Sequence, residues 1–234
     1  MPGATEPTAV IVPMKSFALA KSRLAGVLDP SQRSALARWM AERVLAATGT
    51  LPTMVVCDDP EVADFATAHG ARTVWTPGKG LNAALASAVR TAAGDGHPRV
   101  VLAAGDLPFA HHLDDLAGLV QAPVPQDAVL VVPDRHLEGT NVVSFPSGAP
   151  LRLAFGPDSY RRHLQGAERT QLPVVEIHDE ALGWDVDTPA DLQPPRHLGA
   201  LPLAPAPAPS GPRADSPECA DATVDECVTK ERCR

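Results

Sequence analysis

Short aliphatic runs alternate with helical apolar faces from residue 9 to residue 177, and this limits the fold more than any other feature of the chain. The runs are Ala9-Val10-Ile11-Val12, Thr53–Cys57, 73–75, Arg99–Ala103, 128–132, 141–145 and 172–177. Between the first two, Leu36, Met40, Val44 and Ala47 recur at helical spacing. Asp29-Pro30-Ser31-Gln32 opens that helix with a capping residue, a proline at the first helical position and Gln at the third. Asp59-Pro60 starts a second helix that Gly70 closes, and an alanine-rich helix covers about 83–93. Further helices are expected over 111–120 and, more polar, over 158–168. Strands alternating with helices imply an α/β, Rossmann-like three-layer architecture, its sheet mainly parallel and covered on both faces.

The 234 residues suit one domain of ordinary size. Hydrophobic residues make up 44% but aromatics only 4%, so the core must be built mostly of Ala, Val and Leu. No run approaches the roughly 18 apolar residues of a membrane span, and the N-terminus has no apolar signal region, so a cytoplasmic protein is expected. A net charge of -8 argues against a nucleic-acid partner, which draws on clustered Lys and Arg. Cys57 ends an apolar run and reads as a buried strand residue. Cys219, Cys227 and Cys233 lack the C-x-x-C spacing of a zinc site and read as exposed thiols. Residues 1–8 read as a tail and 9–193 as the domain. From Pro194 the chain turns Ala/Pro-rich and then charged, which predicts a disordered extension over 194–234.

Acidic residues are absent from Pro7 through Leu28, and into that gap fall Lys15, Lys21 and Arg23, directly after the first strand. Ligands of α/β proteins gather at the carboxyl ends of strands. Three cations there, in an acidic chain, suggest a phosphate pocket, against the plainer reading of a solvated basic loop. Asp106 likewise follows a buried strand, where Mg²⁺ ligands are found in nucleotide-dependent α/β enzymes. Asp185 and Asp187 are two apart, so in extended backbone both carboxylates face one side; they could hold a metal or serve the turn that Thr188-Pro189 begins. These hard oxygen ligands suit Mg²⁺ better than zinc.

Gly139-Thr140-Asn141 and Gly156-Pro157-Asp158-Ser159 combine a close-approach glycine with hydroxyls suited to a small carboxylate or phosphate, although each also fits an ordinary turn or cap. Gly78-Lys79-Gly80 lacks the spacing of a Walker A loop. No nucleophile elbow appears, and His111, His112 and His163 are scattered, which disfavours covalent and histidine-based chemistry. Attack by an already ionised phosphate needs neither.

Taken in order, several segments resemble the phospholactate and phosphoenolpyruvate guanylyltransferases of coenzyme F-420 biosynthesis. They are 11–15 with 20–24, Gly80-Leu81-Asn82, Asp106-Leu107-Pro108, Gly139-Thr140-Asn141, Phe155-Gly156 with Ser159, and 185–189. The resemblance spans roughly residues 9 to 192. Ala104-Gly105 before Asp106 departs from a continuous apolar strand, and the Cys-containing tail has no counterpart. The resemblance implies a nucleotide-diphospho-sugar transferase type of fold, GTP as donor and Mg²⁺ as cofactor. It implies that Asp106, Asp185 and Asp187 hold metal, and that Thr140, Gly156 and Ser159 hold a small phosphorylated carboxylic acid. Lys15, Lys21 and Arg23 would contact the GTP phosphates, opposite the metal-bearing carboxylates, and Gly80 and Asn82 would lie near the base.

The implied reaction transfers GMP from GTP to phosphoenolpyruvate with release of pyrophosphate. Phospholactate is the alternative acceptor; the Ala-, Arg- and Pro-heavy composition, of the kind high-GC actinobacteria give, favours phosphoenolpyruvate. Rival readings are a nucleotidyltransferase of the same fold acting on a sugar phosphate or molybdopterin, a glycosyltransferase, and a non-catalytic nucleotide-binding module. The sequence leaves the oligomeric state open, a homodimer included.

Overall fold

The computed structural model describes residues 8–202. Among them seven strands form one sheet in the order β3-β2-β1-β4-β6-β5-β7. The strands are β1 (Ala9–Pro13), β2 (Thr53–Cys57), β3 (Arg72–Trp75), β4 (Arg99–Ala103), β5 (Val129–Pro133), β6 (Thr140–Pro146) and β7 (Val174–Glu176). The helices are α1 (Pro30–Ala46), α2 (Pro60–Ala68), α3 (Leu81–Gly94) and α4 (Ser159–Glu168). The mainly parallel sheet expected from the alternation is present: β1 pairs with β2 and β4, β2 with β3, and β5 with β7, all parallel.

Side chains alternate across the strands as the pleat requires. Val10, Val12, Val55 and Val101 pack with Ala41 and Val44 of α1 and Phe65 of α2. Ile11, Met54, Val100 and Leu102 face the other way, onto Leu85 and Ala88 of α3 and Tyr160 and Ala167 of α4. Helix α1 begins with the capping box read from the sequence, Asp29 accepting from the Gln32 N–H and Gln32 reaching back to the Asp29 N–H. Cys57 is buried, as expected of a strand residue.

Strand β6 runs antiparallel to both neighbours. Only residues 134–139 separate it from β5, too few for the crossover of a dozen or more that a parallel return needs. This exception places the amino end of β6, at Thr140, on the same edge as the carboxyl ends of the other strands.

The helix expected over 111–120 does not form. That segment holds a 3₁₀ turn at Leu116–Leu119, capped by the Asp115 side chain. His112 takes a left-handed backbone with φ of 46°, and the Leu113 N–H bonds to the Ala47 carbonyl at 3.1 Å. A tertiary hydrogen bond has replaced the helical one. Leu113 and Leu116 are buried nonetheless.

Of the extension expected to be disordered, residues 194–202 are described, and Leu201 is buried against a small cluster of Leu24, Leu28, Leu36, Met40 and Val186. The remainder, with Cys219, Cys227 and Cys233, lies outside the described residues, as do residues 1–7. Among the described residues no helix is long and apolar enough to cross a membrane.

Candidate active site

The loops that follow β1, β2, β3 and β4 converge on one cavity of about 710 Å³. Lys15, Lys21 and Arg23 come from the first loop, Asp58 from the second, Lys79 and Gly80 from the third and Asp106 from the fourth. Asp187 completes the lining from the far end of the domain. This is the strand-end crevice where α/β proteins bind ligands.

Two local features bring the basic loop and the carboxylates together. Leu24 and Val186 are fully buried in the same small cluster. Leu24 thereby anchors the loop carrying Lys21 and Arg23, while buried Val186 sits next to Asp187 at the cavity wall; Asp185 is not among the lining residues. Gly105 provides the second feature. A Cβ there would lie 2.9 Å from the Pro13 carbonyl oxygen, so only glycine lets the Asp106 loop press against the exit of β1. The interruption of the apolar run before Asp106 is thus what permits the close approach.

The charges meet directly. Lys21 Nζ lies 2.5 Å from Asp106 Oδ2 and 3.2 Å from Asp187 Oδ1, with only 8% of the Lys21 side chain exposed. Arg23 Nη1 reaches Asp187 Oδ2 at 3.4 Å. Burial works against the Lys21 charge, but the two carboxylates outweigh it and hold its pKa above the ordinary value. The cations and carboxylates expected on opposite sides therefore touch in this structure, because opposite charges attract strongly in a partly desolvated crevice. Lys21 also carries a left-handed backbone, φ 54°, a conformation that non-glycine residues adopt at some cost and often at functional sites.

Asp185 is pushed up to about 6, first by burial and then by the carboxylates of Asp106 and Asp187. Negative charge is thus in excess around Asp185. Asp187 is steadied by Asp191, whose Oδ2 accepts the Asp187 and Thr188 N–H groups at 2.8 and 2.6 Å. Asp191 in turn pairs with Arg135, whose guanidinium stacks 4.0 Å over the Trp184 ring.

Thr140, Gly156 and Ser159 form a second group, and none of the three is among the residues that line the cavity. The Thr140 N–H donates to Ser159 Oγ at 2.9 Å, and Gly156 has φ of 113°, which only glycine adopts readily. Phe155, next to Gly156 in the chain, does line the cavity. Asn82 does not line the cavity. Its Oδ1 accepts the Phe155 N–H at 2.7 Å and its Nδ2 donates to the Phe155 carbonyl at 3.0 Å, so it clamps the loop leading to Gly156.

Asp58, Lys79 and His163 stand at the site without having been among the expected residues. Lys79 adds a further cation, and its place between two glycines after a strand was the signal available. His163 is fully buried against Thr140, and no sequence signal marks it. Among the described residues, no group of three or more His, Cys, Asp or Glu side chains stands ready to hold a metal ion. The donor chemistry nevertheless fits a hard divalent cation: carboxylate oxygens of Asp106 and Asp187 already converge on a positive charge, and Asp185 adds negative charge not yet offset.

The family model described as "Guanylyl transferase CofC like" matches residues 8–194. A phosphoenolpyruvate guanylyltransferase of Sphaerobacter thermophilus is 34% identical over 190 residues, covering 80% of this chain and 91% of the relative. That of Rubrobacter xylanophilus is 35% identical over 185 residues, covering 78% and 90%. A putative nucleotide-diphospho-sugar transferase from Desulfovibrio desulfuricans shares the fold, with a TM-score of 0.61 at 20% identity over 77% of this chain and 82% of its own. A nucleotidyl transferase from Methanothermobacter aligns with a TM-score of 0.57 at 17% identity over 80% and 94%. On the family match and these relatives, the chain belongs to the CofC-like guanylyl transferase family.

Proposed function

We propose that this chain transfers GMP from GTP to phosphoenolpyruvate, releasing pyrophosphate and forming enolpyruvyl-2-diphospho-5'-guanosine. The observation that carries the reading is a strand-end cavity lined by Lys15, Lys21, Arg23 and Lys79 with Asp106 and Asp187, whose wall includes Phe155, the chain neighbour of Gly156. The curated relatives named above are phosphoenolpyruvate guanylyltransferases, which supports the choice of both substrates.

In this reading a phosphate oxygen of the acceptor attacks the α-phosphorus of GTP. A new P–O bond forms as the bond from the α-phosphorus to the oxygen bridging it to the β-phosphorus breaks, and pyrophosphate leaves. The nucleophile is already ionised, so no side chain need remove a proton. Catalysis falls to positioning and charge stabilisation. Lys21, held protonated in the crevice, and Arg23 and Lys79 at the cavity wall neutralise the triphosphate. Thr140, Ser159 and the backbone at Gly156 orient the acid. Mg²⁺ held by Asp106, Asp185 and Asp187 would supply further positive charge to the phosphate oxygens when bound. The product belongs in coenzyme F-420 biosynthesis, and an enzyme drawing on GTP and phosphoenolpyruvate is expected in the cytoplasm.

The test is pyrophosphate release from GTP with phosphoenolpyruvate or phospholactate, each with Mg²⁺ and with EDTA. Release with phosphoenolpyruvate that EDTA abolishes is expected. Release with phospholactate alone would reassign the acceptor, and none with either acid from folded protein would sink the proposal.

A further inference from the structure

His163 lies on α4 with none of its surface exposed, between the hydroxyl pair and the loop that carries Gly156. Its Nε2 accepts the Ala154 N–H at 3.0 Å, its Nδ1 is 2.9 Å from Thr140 Oγ1, and its ring meets Phe155 edge to face at 4.8 Å between centroids. A backbone N–H can only donate, so Nε2 is the unprotonated nitrogen. The neutral ring then carries its hydrogen on Nδ1 and donates it to Thr140 Oγ1. Burial, with Arg162 nearby, pushes the imidazole down to about 4 and keeps it neutral.

The consequence falls on the two hydroxyls. Thr140 Oγ1 receives the His163 hydrogen and Ser159 Oγ receives the Thr140 N–H. Neither hydroxyl donates to another group among the described residues, so each oxygen has its own proton still to give. A buried donor left unused costs stability, and an oxygen that can only accept satisfies it. Carboxylate and fully ionised phosphate oxygens are of that kind.

We infer that His163 is a positioning residue for the acceptor. By donating to Thr140 while holding the Ala154 N–H, it points the Thr140 hydroxyl proton at an anionic oxygen of the acid and fixes the loop bearing Gly156. This rests on the proposed reading in which Thr140, Gly156 and Ser159 hold the acceptor. His163 itself touches no substrate and moves no proton.

Two substitutions separate its contacts. In His163→Asn the amide nitrogen takes the place of Nδ1 and keeps the donor to Thr140. In His163→Gln the amide reaches toward the Nε2 position and Ala154, and the donor is lost. His163→Gln is expected to raise KM for phosphoenolpyruvate about 10- to 100-fold, the usual range for a hydrogen bond to a charged group. KM for GTP should stay within about twofold, His163→Asn should restore most of the loss, and in a Thr140→Val background His163→Gln should add nothing. Equal effects with and without the Thr140 hydroxyl, or parallel rises in both KM values, would reduce His163 to scaffold and overturn the inference. Imidazole nitrogen NMR on the unsubstituted protein decides independently of turnover: hydrogen on Nδ1 is expected, and hydrogen on Nε2 would overturn the inference even in an active enzyme. Absence of turnover by the unsubstituted protein with any acid would instead count against the functional reading.

Discussion

Lys21 has the most demanding surroundings of any residue in the site. Its ammonium is nearly buried, its backbone is left-handed, and its position depends on two carboxylates from segments 85 and 166 residues away. Lys21→Met keeps the stem but leaves Asp106 and Asp187 facing each other across the gap. A loss of about 10²-fold or more in kcat/KM is expected, with the fold intact by circular dichroism. Unchanged kcat/KM would remove Lys21 from the chemistry. His163 makes a separate prediction through its titration. Its folded pKa, near 4, lies below the ordinary 6.5, so the unfolded chain takes up the proton first as pH falls. Its contribution is therefore complete above about pH 6.5 and is lost progressively down to about pH 4, on the order of 3 kcal/mol in all. Urea unfolding at a series of pH values should show this slope in the unsubstituted protein and a shallower one in His163→Gln. Matching slopes would mean that the imidazole is not buried neutral.

At the scale of elements, the site depends on packing between distant segments. Leu24 and Val186 share one small cluster, and each sits beside the charges it positions. Leu24→Ala should cost about 2–5 kcal/mol of stability and should lower turnover even at temperatures where the variant is fully folded. Thermal unfolding paired with kinetics would check both; stability loss without any loss of turnover would separate the cluster from the site. Here the limits of the sequence become clear. The Asp29-Pro30-Gln32 cap and the strand alternation were legible because they depend on neighbouring residues. The candidate positions Lys15, Lys21, Arg23, Gly80, Asp106 and Asp187 were legible as strand-end charges and a loop glycine. Contact between Lys21 and Asp187 was not, since it depends on Leu24 meeting Val186 across the whole domain. Residues 111–120 misled because Leu113 bonds to Ala47, a partner no helical period reveals. Asn82 and His163 acquire their contacts only once residues 154–155 have folded back, which local pattern does not encode.

The whole molecule brings its charge together by topology. Parallel strands β1 to β4 bring four loops to one edge, and the reversed β6 delivers Thr140 to that same edge. The chain divides into units 1–203 and 204–234, the second outside the described residues, and Leu201 packs into the first. Ending the chain at Gln193 rather than at Leu203 should lower the melting temperature by uncovering Leu28 and Met40. Equal stability of the two shortened proteins would show that Leu201 contributes nothing. The central claim is that one site joins a guanylyl group to a small phosphorylated acid, and phosphorus NMR of the reaction reads it most directly. With GTP, Mg²⁺ and phosphoenolpyruvate, the triphosphate signals should give way to pyrophosphate and a new pair of coupled diphosphate doublets, both absent with Asp106→Asn. Phosphate and GDP in their place, or an unchanged spectrum from folded protein, would contradict guanylyl transfer.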